Sequence, residues 1–254
     1  MTETTRKLVD MLLLAVPYHL DERLDPFDLG VPADREVTAD LPAGDPWTRM
    51  AALYEQVADV VGEGAAVVAS GDCTTSLGVL AGLQRAGRDP AVVWFDAHAD
   101  FHTVDTTTSG YLGGMPLSLA VGRGDLALPT ALGLRPVAEQ RVVLVDARDT
   151  DPGEHQLLAG SAVTRSTVAD LVGVVPDGDL YVHVDVDVCT PAEVPDLLYP
   201  AAGGVRVDEL LTVVRALVAT GRVVALGLAA TWHHTSPARP EHAALVRGLL
   251  AAAP

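Results

Sequence analysis

The chain has 254 residues, 49% of them hydrophobic, and its 17 basic and 34 acidic side chains give a net charge of −17. This length fits one large α/β domain with a single large core. The charge argues against nucleic acid and anionic membranes as partners, because both are bound through cationic patches. The two cysteines, Cys73 and Cys189, lie far apart and make no disulfide framework, which indicates a reducing, cytoplasmic location.

The apolar run at residues 11–16 predicts the first buried strand. It follows Arg6 and Lys7 and so loosely resembles a signal peptide, but it lacks a small-residue cleavage site and runs into Pro17. Residues 20–44 are rich in Asp, Pro and Gly, which predicts an irregular loop. No stretch of the sequence approaches the length of a transmembrane helix.

Helices and strands alternate from Pro46 onward, because segments with helical apolar spacing alternate with near-continuous apolar runs. Thr74 or Thr75 can cap the second helix. The predicted helices cover residues 46–61, 74–85, 115–121, 167–173, 207–219 and 241–252, and the predicted strands cover 65–69, 91–96, 141–145, 180–188 and 223–229. This alternation predicts a mostly parallel sheet with helices on both faces, in one three-layer α/β/α domain that spans residues 1–254.

A first polar cluster follows the strand at 91–96, where Asp96, His98 and Asp100 are spaced two residues apart. On an extended strand, alternate side chains point to the same face, so the three groups could converge at the carboxyl end of the strand. Binding sites form at these ends in parallel sheets. The cluster therefore indicates a metal site or a general acid/base site, and the alternative is a solvated strand end.

A second cluster, His183, Asp185 and Asp187, alternates with valines at the end of another buried strand. So many carboxylates would repel one another unless cations neutralise them. Carboxylates with one or two imidazoles suit Mn or Mg ions, with Fe or Zn as further candidates. Two ions roughly 3.5–4 Å apart can deprotonate one shared water at neutral pH. The two clusters therefore predict a binuclear metal site.

These motifs resemble those of the ureohydrolase superfamily, which includes arginase, agmatinase and formiminoglutamase. Residues 96–100 match its Asp-Ala-His-x-Asp element, and residues 185–187 match its Asp-x-Asp element. Residues 195–204 resemble the proline- and glycine-rich segment that follows, and residues 70–75 fall where the family has Gly-Gly-Asp-His-Ser. The resemblance extends from about Gly71 to the last strand. It implies an arginase-like fold, two divalent ions that are most often Mn, and a homo-oligomer.

The resemblance also implies a ligand set: Cys73, Asp96, His98, Asp100, Asp185 and Asp187. Asp96 and Asp185 would bridge the ions, and Asp100 would bind one ion beside the bridging hydroxide and relay a proton. Cys73 occupies a position where the family has histidine, and a thiolate favours Zn or Fe more than an imidazole does. Three interpretations of Cys73 stay open: a thiolate ligand, a thiol near the ions, or an ordinary buried cysteine.

Residues 148–155 resemble the arginase segment that holds the amino-acid end of the substrate. The resemblance implies that Asp151 and Glu154 address an α-ammonium, and that Thr107 and Ser109 contact an α-carboxylate. Asp and Glu beside Pro152 are also typical of a helix start. The full predicted set of substrate-binding residues is His102, Thr107, Ser109, Asp149, Asp151 and Glu154.

The chain departs from arginases at two important positions. Ala230 falls where arginases have a glutamate that holds the guanidinium group, and Gly113 falls where they have a histidine that is thought to shuttle protons. His183, which shares the alternation of Asp185, is a candidate to replace that histidine, or it is a structural histidine. Arginase-like enzymes of amino-acid antibiotic pathways resemble this pattern, including a cysteine among the metal ligands.

The sequence therefore predicts a binuclear metal hydrolase that cleaves a C–N bond of a guanidino or amidino amino acid, such as arginine or an Nω-hydroxyarginine-like compound. Two alternatives are a hydrolase of formimino or amide groups and a metal-binding protein without turnover. The first alternative fits the absence of the glutamate that holds a guanidinium group. The second fits a chain that keeps the metal ligands but lacks the other catalytic residues.

Overall fold

The computed structural model describes residues 12–64, 66–234 and 237–252. Its strands are β1 (Leu12–Val16), β2 (Tyr18–His19), β3 (Glu22–Arg23), β4 (Arg35–Glu36), β5 (Ala66–Ser70), β6 (Ala91–Asp96), β7 (Val142–Asp146), β8 (Thr164–Ser166), β9 (Leu180–Asp185) and β10 (Val223–Ala229). Its α-helices are α1 (Pro46–Glu63), α2 (Ser76–Arg85), α3 (Pro116–Ala120), α4 (Ala127–Ala131), α5 (Pro152–Ala159), α6 (Val207–Ala219) and α7 (Pro240–Leu250).

Eight strands form one sheet in the order β4-β1-β5-β10-β9-β6-β7-β8. Every neighbouring pair in this sheet is parallel. Strand β10 follows the other strands in the described chain, yet it lies in the middle of the sheet between β5 and β9. The central strands are apolar on both sides, as expected for a parallel sheet that is covered on both faces.

The core lies on the two faces of this sheet. Alternate side chains of the strands divide between the faces, so Trp94 and Tyr181 pack with α1 to α5, whereas Val93 and Val182 pack with α6 and α7. This arrangement is a three-layer α/β/α fold, and it confirms the fold class predicted from the sequence.

The helix pair α1 and α2 packs closely and supports the start of the functional region. Asp45 caps α1 by accepting a hydrogen bond from the backbone N–H of Thr48 at 3.1 Å. A Cβ atom on Gly82 of α2 would lie 2.5 Å from the carbonyl oxygen of Ala58 in α1, so only glycine allows this approach. Helix α2 directly follows a 3₁₀ turn over Cys73–Thr75, so the position of α2 fixes that of Cys73.

Three predicted elements differ from the structure. The helix predicted at residues 167–173 is wrong, because only a 3₁₀ turn forms there over Leu171–Gly173, after the short strand β8. The strand predicted at 180–188 stops at Asp185 and continues as a 3₁₀ turn. Threonine capping before α2 is also wrong: Thr75 makes no side-chain capping bond.

Part of the loop predicted at residues 20–44 forms strands β3 and β4, and β4 adds an edge strand to the sheet. Most of the remaining predicted helices and strands agree with the structure within a few residues. Residue 11 of the predicted first strand and residue 65 of the strand predicted at 65–69 lie outside the described residues.

Candidate active site at the carboxyl edge of the sheet

One cavity of about 250 Å³ lies beyond the carboxyl ends of the four central strands β5, β10, β9 and β6. It is lined by every predicted metal ligand and every predicted substrate-binding residue: Cys73, Asp96, His98, Asp100, His102, Thr107, Ser109, Asp149, Asp151, Glu154, Asp185 and Asp187. His183 is not among the lining residues. Side chains that are far apart in the sequence therefore meet at one concave surface.

The first cluster converges by a turn and not by extension of the strand. Strand β6 ends at Asp96, whose Oδ1 accepts a hydrogen bond from the backbone N–H of His98 at 2.7 Å. The backbone then reaches Asp100 in the left-handed region, with φ of 52°. This conformation is uncommon for residues other than glycine, but it is tolerated by Asp and Asn. The expectation of an extended strand through Asp100 is thus wrong, although the three side chains do meet.

The second cluster is built in the same way at the end of β9. Asp185 Oδ1 accepts hydrogen bonds from the backbone N–H of Asp187, at 2.9 Å, and from the hydroxyl of Thr231. Asp187 Oδ1 accepts a hydrogen bond from the backbone N–H of Ala97 at 3.1 Å, and its Oδ2 lies 3.1 Å from Nδ1 of His98. These contacts tie the two clusters together across neighbouring strands.

Cys73 lies at the same point of the cavity. Asp72 fixes the turn around it by accepting a hydrogen bond from the backbone N–H of Thr74 at 2.7 Å. The Cys73 thiol donates to Asp185 Oδ2 at 3.0 Å, and it lies 3.8 Å from Asp96 Oδ2. Its sulfur therefore contacts both carboxylates that the resemblance assigns as bridging ligands.

The electrostatics of the cluster favour a cation. Burial raises the pKa of Asp185 to about 8, with a further contribution from the charge of Asp187. Burial and the charge of Asp96 raise the pKa of Asp187 to about 6. Burial also raises the pKa of Asp96 and Asp100, and Asp100 Oδ2 has no hydrogen-bond partner among the described residues. Buried carboxylates that repel one another become favourable when divalent ions bind them.

Burial would by itself lower the pKa of His98, but its hydrogen bonds to Asp187 and Asp96 raise this pKa to about 12. In the protein without metal, a protonated His98 thus acts as a cation within the cluster. A divalent ion would replace that proton, since imidazole binds metals in its neutral form.

Among the described residues, two groups of side chains have ligand atoms within 4.8 Å of one another. One contains Asp96, His98 and Asp187, and the other contains Cys73, Asp96 and His183. The groups share Asp96. Such distances are compatible with ligands that surround one ion at about 2.0–2.3 Å, and the shared carboxylate suits a bridge between two ions. The residues present therefore fit a binuclear metal site.

His183 lies near Cys73 and Asp96 but does not line the cavity, and burial lowers its pKa to about 3. It is 1% exposed, and its Nδ1 lies 3.0 Å from the Ser76 hydroxyl. Because His183 is not among the residues that line the cavity, its position does not support our interpretation of this residue as a proton shuttle to the substrate.

The predicted substrate-binding side chains line the same cavity. Glu154 is buried, and its Oε1 accepts a hydrogen bond from the backbone N–H of Phe101 at 2.8 Å. Burial raises the pKa of Glu154. Asp151 Oδ2 lies 3.4 Å from His102 Nε2. Helix α5 does begin at Pro152, but the Asp151 side chain makes no capping bond and lines the cavity. The segment is thus both a helix start and a carboxylate-bearing wall.

The arginase family model matches residues 13–231 of the chain. The chain belongs to the arginase family. It is 36% identical over 141 residues to the Nω-hydroxy-L-arginine amidinohydrolase of Streptomyces lavendulae, a match that covers 54% of this chain and 50% of that enzyme. It is 29% identical over 231 residues to the arginase of Bacillus subtilis, covering 80% of this chain and 78% of that enzyme. It is 30% identical to the Neurospora crassa arginase over 199 residues, a match that covers 69% of this chain and 56% of that enzyme. The chain thus spans about half the length of two of these relatives.

Solved structures of arginase-family proteins share the fold. The arginase of Bacillus subtilis superposes with a TM-score of 0.79 at 20% identity, covering 95% of this chain and 97% of that chain. The formimidoylglutamase of the same organism superposes with a TM-score of 0.72 at 14% identity, covering 99% of this chain and 91% of that chain. At such identities the likeness concerns the fold alone.

The structure shows the surroundings of Gly113 and Ala230, the two positions at which the sequence departs from arginases. A Cβ atom on Gly113 would lie 2.3 Å from the hydroxyl of Tyr111, so the tyrosine fills the space that a larger side chain would need. Ala230 is buried in the core behind the site, and Thr231 faces the cavity in its place. The end of β10 therefore presents a hydroxyl group to the cavity and no carboxylate.

Sequence reasoning gave no role in the site to Asp72, Tyr199 and Thr231, which also line the cavity. Asp72 and Thr231 lie at the carboxyl ends of β5 and β10, so their position after predicted strands could have indicated them. Tyr199 lies in the proline-rich loop after β9 and packs against Tyr111 with ring centroids 5.3 Å apart. No spacing rule places such a loop residue.

Proposed function

We propose that this arginase-family chain is a binuclear metal-dependent hydrolase that cleaves a C–N bond of a guanidino-type amino acid and releases a urea-type product. The observation that carries the proposal is one cavity lined both by the cluster of proposed metal ligands and by the carboxylates of Asp151 and Glu154. The cluster suits water activation, and the two carboxylates suit an ammonium group.

The metal ligands proposed are Cys73, Asp96, His98, Asp100, Asp185 and Asp187. Two divalent ions, Mn by family resemblance with Zn or Fe as alternatives, would supply a water that loses its proton near neutral pH. Asp100 would orient this water and carry its proton to the leaving nitrogen, because its Oδ2 is not engaged by another described group.

The amino-acid end of the substrate would lie against the predicted substrate-binding side chains. Asp151 and Glu154 would accept hydrogen bonds from the α-ammonium, and the hydroxyl groups of Thr107 and Ser109 would donate to the α-carboxylate. His102 and Asp149 complete the proposed substrate-binding set. Fixed charged partners of this kind hold a small substrate in the orientation that the reaction needs.

Among guanidino compounds, we favour an Nω-hydroxyarginine-like substrate over arginine. Thr231 offers a hydroxyl group where a carboxylate would be needed to pair with a strongly basic guanidinium. An Nω-hydroxyguanidine is a weaker base and needs less charge pairing. The 36% identical relative from Streptomyces lavendulae bears the name of an Nω-hydroxy-L-arginine amidinohydrolase. The same absence of a carboxylate favours a formimino or amide substrate as the second candidate.

The test is a substrate panel on the Mn- and Zn-loaded protein, with urea, hydroxyurea, ammonia and formamide as measured products. The panel contains arginine, Nω-hydroxy-L-arginine, agmatine, guanidinovalerate and formiminoglutamate. We expect hydroxyurea from Nω-hydroxy-L-arginine, and slower reactions of agmatine and guanidinovalerate, which lack the carboxylate and the ammonium group respectively. Products from formiminoglutamate alone would support the second candidate. Bound metal with no product from any compound would support a non-catalytic metal-binding protein.

We also propose a cytoplasmic location and a homo-oligomer. Manganese and a free buried thiol such as Cys73 suit a reducing compartment. In the described part of the chain, no helix has the length and apolar character needed to cross a membrane. Light scattering of the purified protein would measure the oligomeric state directly.

A further inference from the structure

His183 occupies a distinctive place in the sheet. In the pairing register it lies beside Trp94 of β6 and Gly227 of β10. Its ring packs on the indole of Trp94 with centroids 3.8 Å apart, and it is almost fully buried. A Cβ atom on Gly227 would lie 3.1 Å from Nδ1 of His183, so the glycine leaves room for the imidazole.

Only one nitrogen of this imidazole has a hydrogen-bond partner among the described residues. Nδ1 lies 3.0 Å from the hydroxyl of Ser76, which also accepts a hydrogen bond from the Tyr181 hydroxyl at 2.8 Å. Nε2 is buried and has no such partner. A buried polar atom without a partner costs free energy, so an unoccupied Nε2 calls for a ligand.

A ring nitrogen of His183 lies within 4.8 Å of the Cys73 sulfur and of a carboxylate oxygen of Asp96. Because Nδ1 is engaged by Ser76, Nε2 is the nitrogen that remains available. Hydrogen bonding of the other ring nitrogen is the usual arrangement for a histidine that binds a metal, since it fixes the tautomer and the ring orientation.

We propose that His183 binds a metal ion directly through Nε2, together with Cys73 and Asp96, and that this half of the site selects a zinc-type ion. The inference rests on the proposed binuclear site and identifies a ligand that the motif resemblance does not include. Thiolate and imidazole donors favour Zn, whereas the group of Asp96, His98 and Asp187 has one imidazole and two carboxylates and suits Mn. The site would therefore hold two different ions.

The decisive variant is His183→Asn. The amide nitrogen of asparagine can take the position of Nδ1 beside Ser76, whereas nothing replaces Nε2. The matched control is His242→Asn, since His242 is also almost fully buried and stacks on Trp232, with its Nε2 2.8 Å from the carbonyl oxygen of Pro195. Ser76→Ala removes the hydroxyl that contacts Nδ1 of His183 and the Tyr181 hydroxyl but leaves Nε2 in place, and it serves as the second comparison.

The measurement is the affinity of the metal-free full-length protein for Zn²⁺ in competition with a chelator. Loss of a side chain that hydrogen-bonds a metal ligand typically weakens metal binding by about 10–100-fold. We therefore expect Ser76→Ala to weaken Zn²⁺ binding by a factor in this range and His183→Asn to weaken it further. His242→Asn should bind Zn²⁺ as the wild type does. An affinity of His183→Asn equal to that of the wild type, or weakened no more than that of Ser76→Ala, overturns direct ligation.

Cobalt absorption gives an independent check on the same ion. We expect Co²⁺ in the wild type to show a thiolate charge-transfer band that Cys73→Ser abolishes. His183→Asn should keep this band but alter the visible bands, which report the ligand geometry. Visible bands identical to those of the wild type would contradict the proposal. A protein that passes these tests but hydrolyses no compound of the panel keeps this inference and overturns the proposed function.

Discussion

At the scale of single residues, Asp100, the proposed proton carrier, has a conformation and an environment that do not favour folding. Its backbone lies in the left-handed region, and its carboxylate is buried with one oxygen free of partners among the described residues. Such features cost stability and persist where function requires them.

Replacing this carboxylate should therefore lower activity without lowering stability. In Asp100→Asn, we expect kcat to fall by about 10²–10⁴-fold, since a proton carrier is lost. Thermal unfolding of the metal-free protein should occur at the same or a higher temperature, because a repelling buried carboxylate is removed and asparagine tolerates the same backbone. The control is Asp105→Asn, which changes an exposed carboxylate nearby. A kcat equal to that of the wild type would exclude the proposed proton relay.

Glu154 allows a test of substrate orientation. Glu154→Gln keeps an oxygen that can accept the hydrogen bond from the backbone N–H of Phe101, but it removes the negative charge. If this charge binds the α-ammonium, KM for the amino-acid substrate should rise by about 10-fold or more, because hydrogen bonds to charged groups contribute roughly 1.5–3 kcal/mol. KM for guanidinovalerate, which has no ammonium, should stay unchanged. An equal rise for both compounds would indicate a purely structural role.

The meeting of the carboxylates and His98 could be predicted from the sequence because these residues come in two short alternating motifs after apolar strands. The sequence predicted correctly that Asp96, His98 and Asp100 lie together at the cavity, even though it predicted their local backbone wrongly. The environment of His183 could not be predicted. Its neighbours Ser76, Trp94 and Gly227 come from other strands or helices, and only strand order and register bring them together.

At the scale of elements, the contact between α1 and α2 supports the Cys73 turn. We expect Gly82→Ala to lower the free energy of unfolding by about 1–3 kcal/mol, since its Cβ atom would overlap the backbone of Ala58. Because α2 begins next to the turn, the variant should also bind Zn²⁺ more weakly.

Gly62→Ala is the matched control in α1. A Cβ atom on Gly62 would be 3.6 Å from the nearest backbone oxygen, which is ordinary contact. Alanine should leave stability unchanged or raise it by up to about 1 kcal/mol, because it favours helix more than glycine does. Urea unfolding of both variants checks the pair, and an equal response of the two would contradict the packing argument.

Prediction of the elements succeeded where apolar periodicity was long and failed where segments were short. The helix α1 extends over eighteen residues with a continuous apolar face, so its spacing identifies it. Residues 167–173 lack that length. Contacts with the rest of the protein, and not local preference, decide the conformation of so short a segment.

At the scale of the whole molecule, the buried carboxylates link stability to pH. Asp185 has a pKa of about 8 in the folded protein, because burial and Asp187 raise it, whereas an unfolded aspartate titrates near ~4. The folded state binds more protons between these values, so the metal-free protein loses stability as pH rises. His183 and His234 oppose this below about pH 6.5, because burial lowers their pKa values to about 3 and about 4.

Between about pH 6.5 and about pH 8, Asp185 and also His98, whose pKa is raised to about 12 in the folded protein, hold protons that the unfolded chain has released. With a chelator present, we therefore expect the unfolding temperature to fall across this range, and Asp185→Asn should make this fall less steep while His98 sustains the remainder. Excess Mn²⁺ or Zn²⁺ should reverse the trend, since metal binding releases protons and strengthens as pH rises. Unfolding curves at several pH values, with and without metal, measure the effect. A rising unfolding temperature in chelator would contradict it.

The central place of β10 has a consequence for synthesis on the ribosome. Until residues 223–229 emerge, the β4-β1-β5 part and the β9-β6-β7-β8 part of the sheet have no strand between them. Cys73 and Asp185 belong to different parts, so a nascent chain cannot yet hold them together, and the edges of β5 and β9 stay unpaired. Exposed edges of this kind invite pairing with other chains. Metal loading at the shared site is therefore expected only after β10 has left the ribosome.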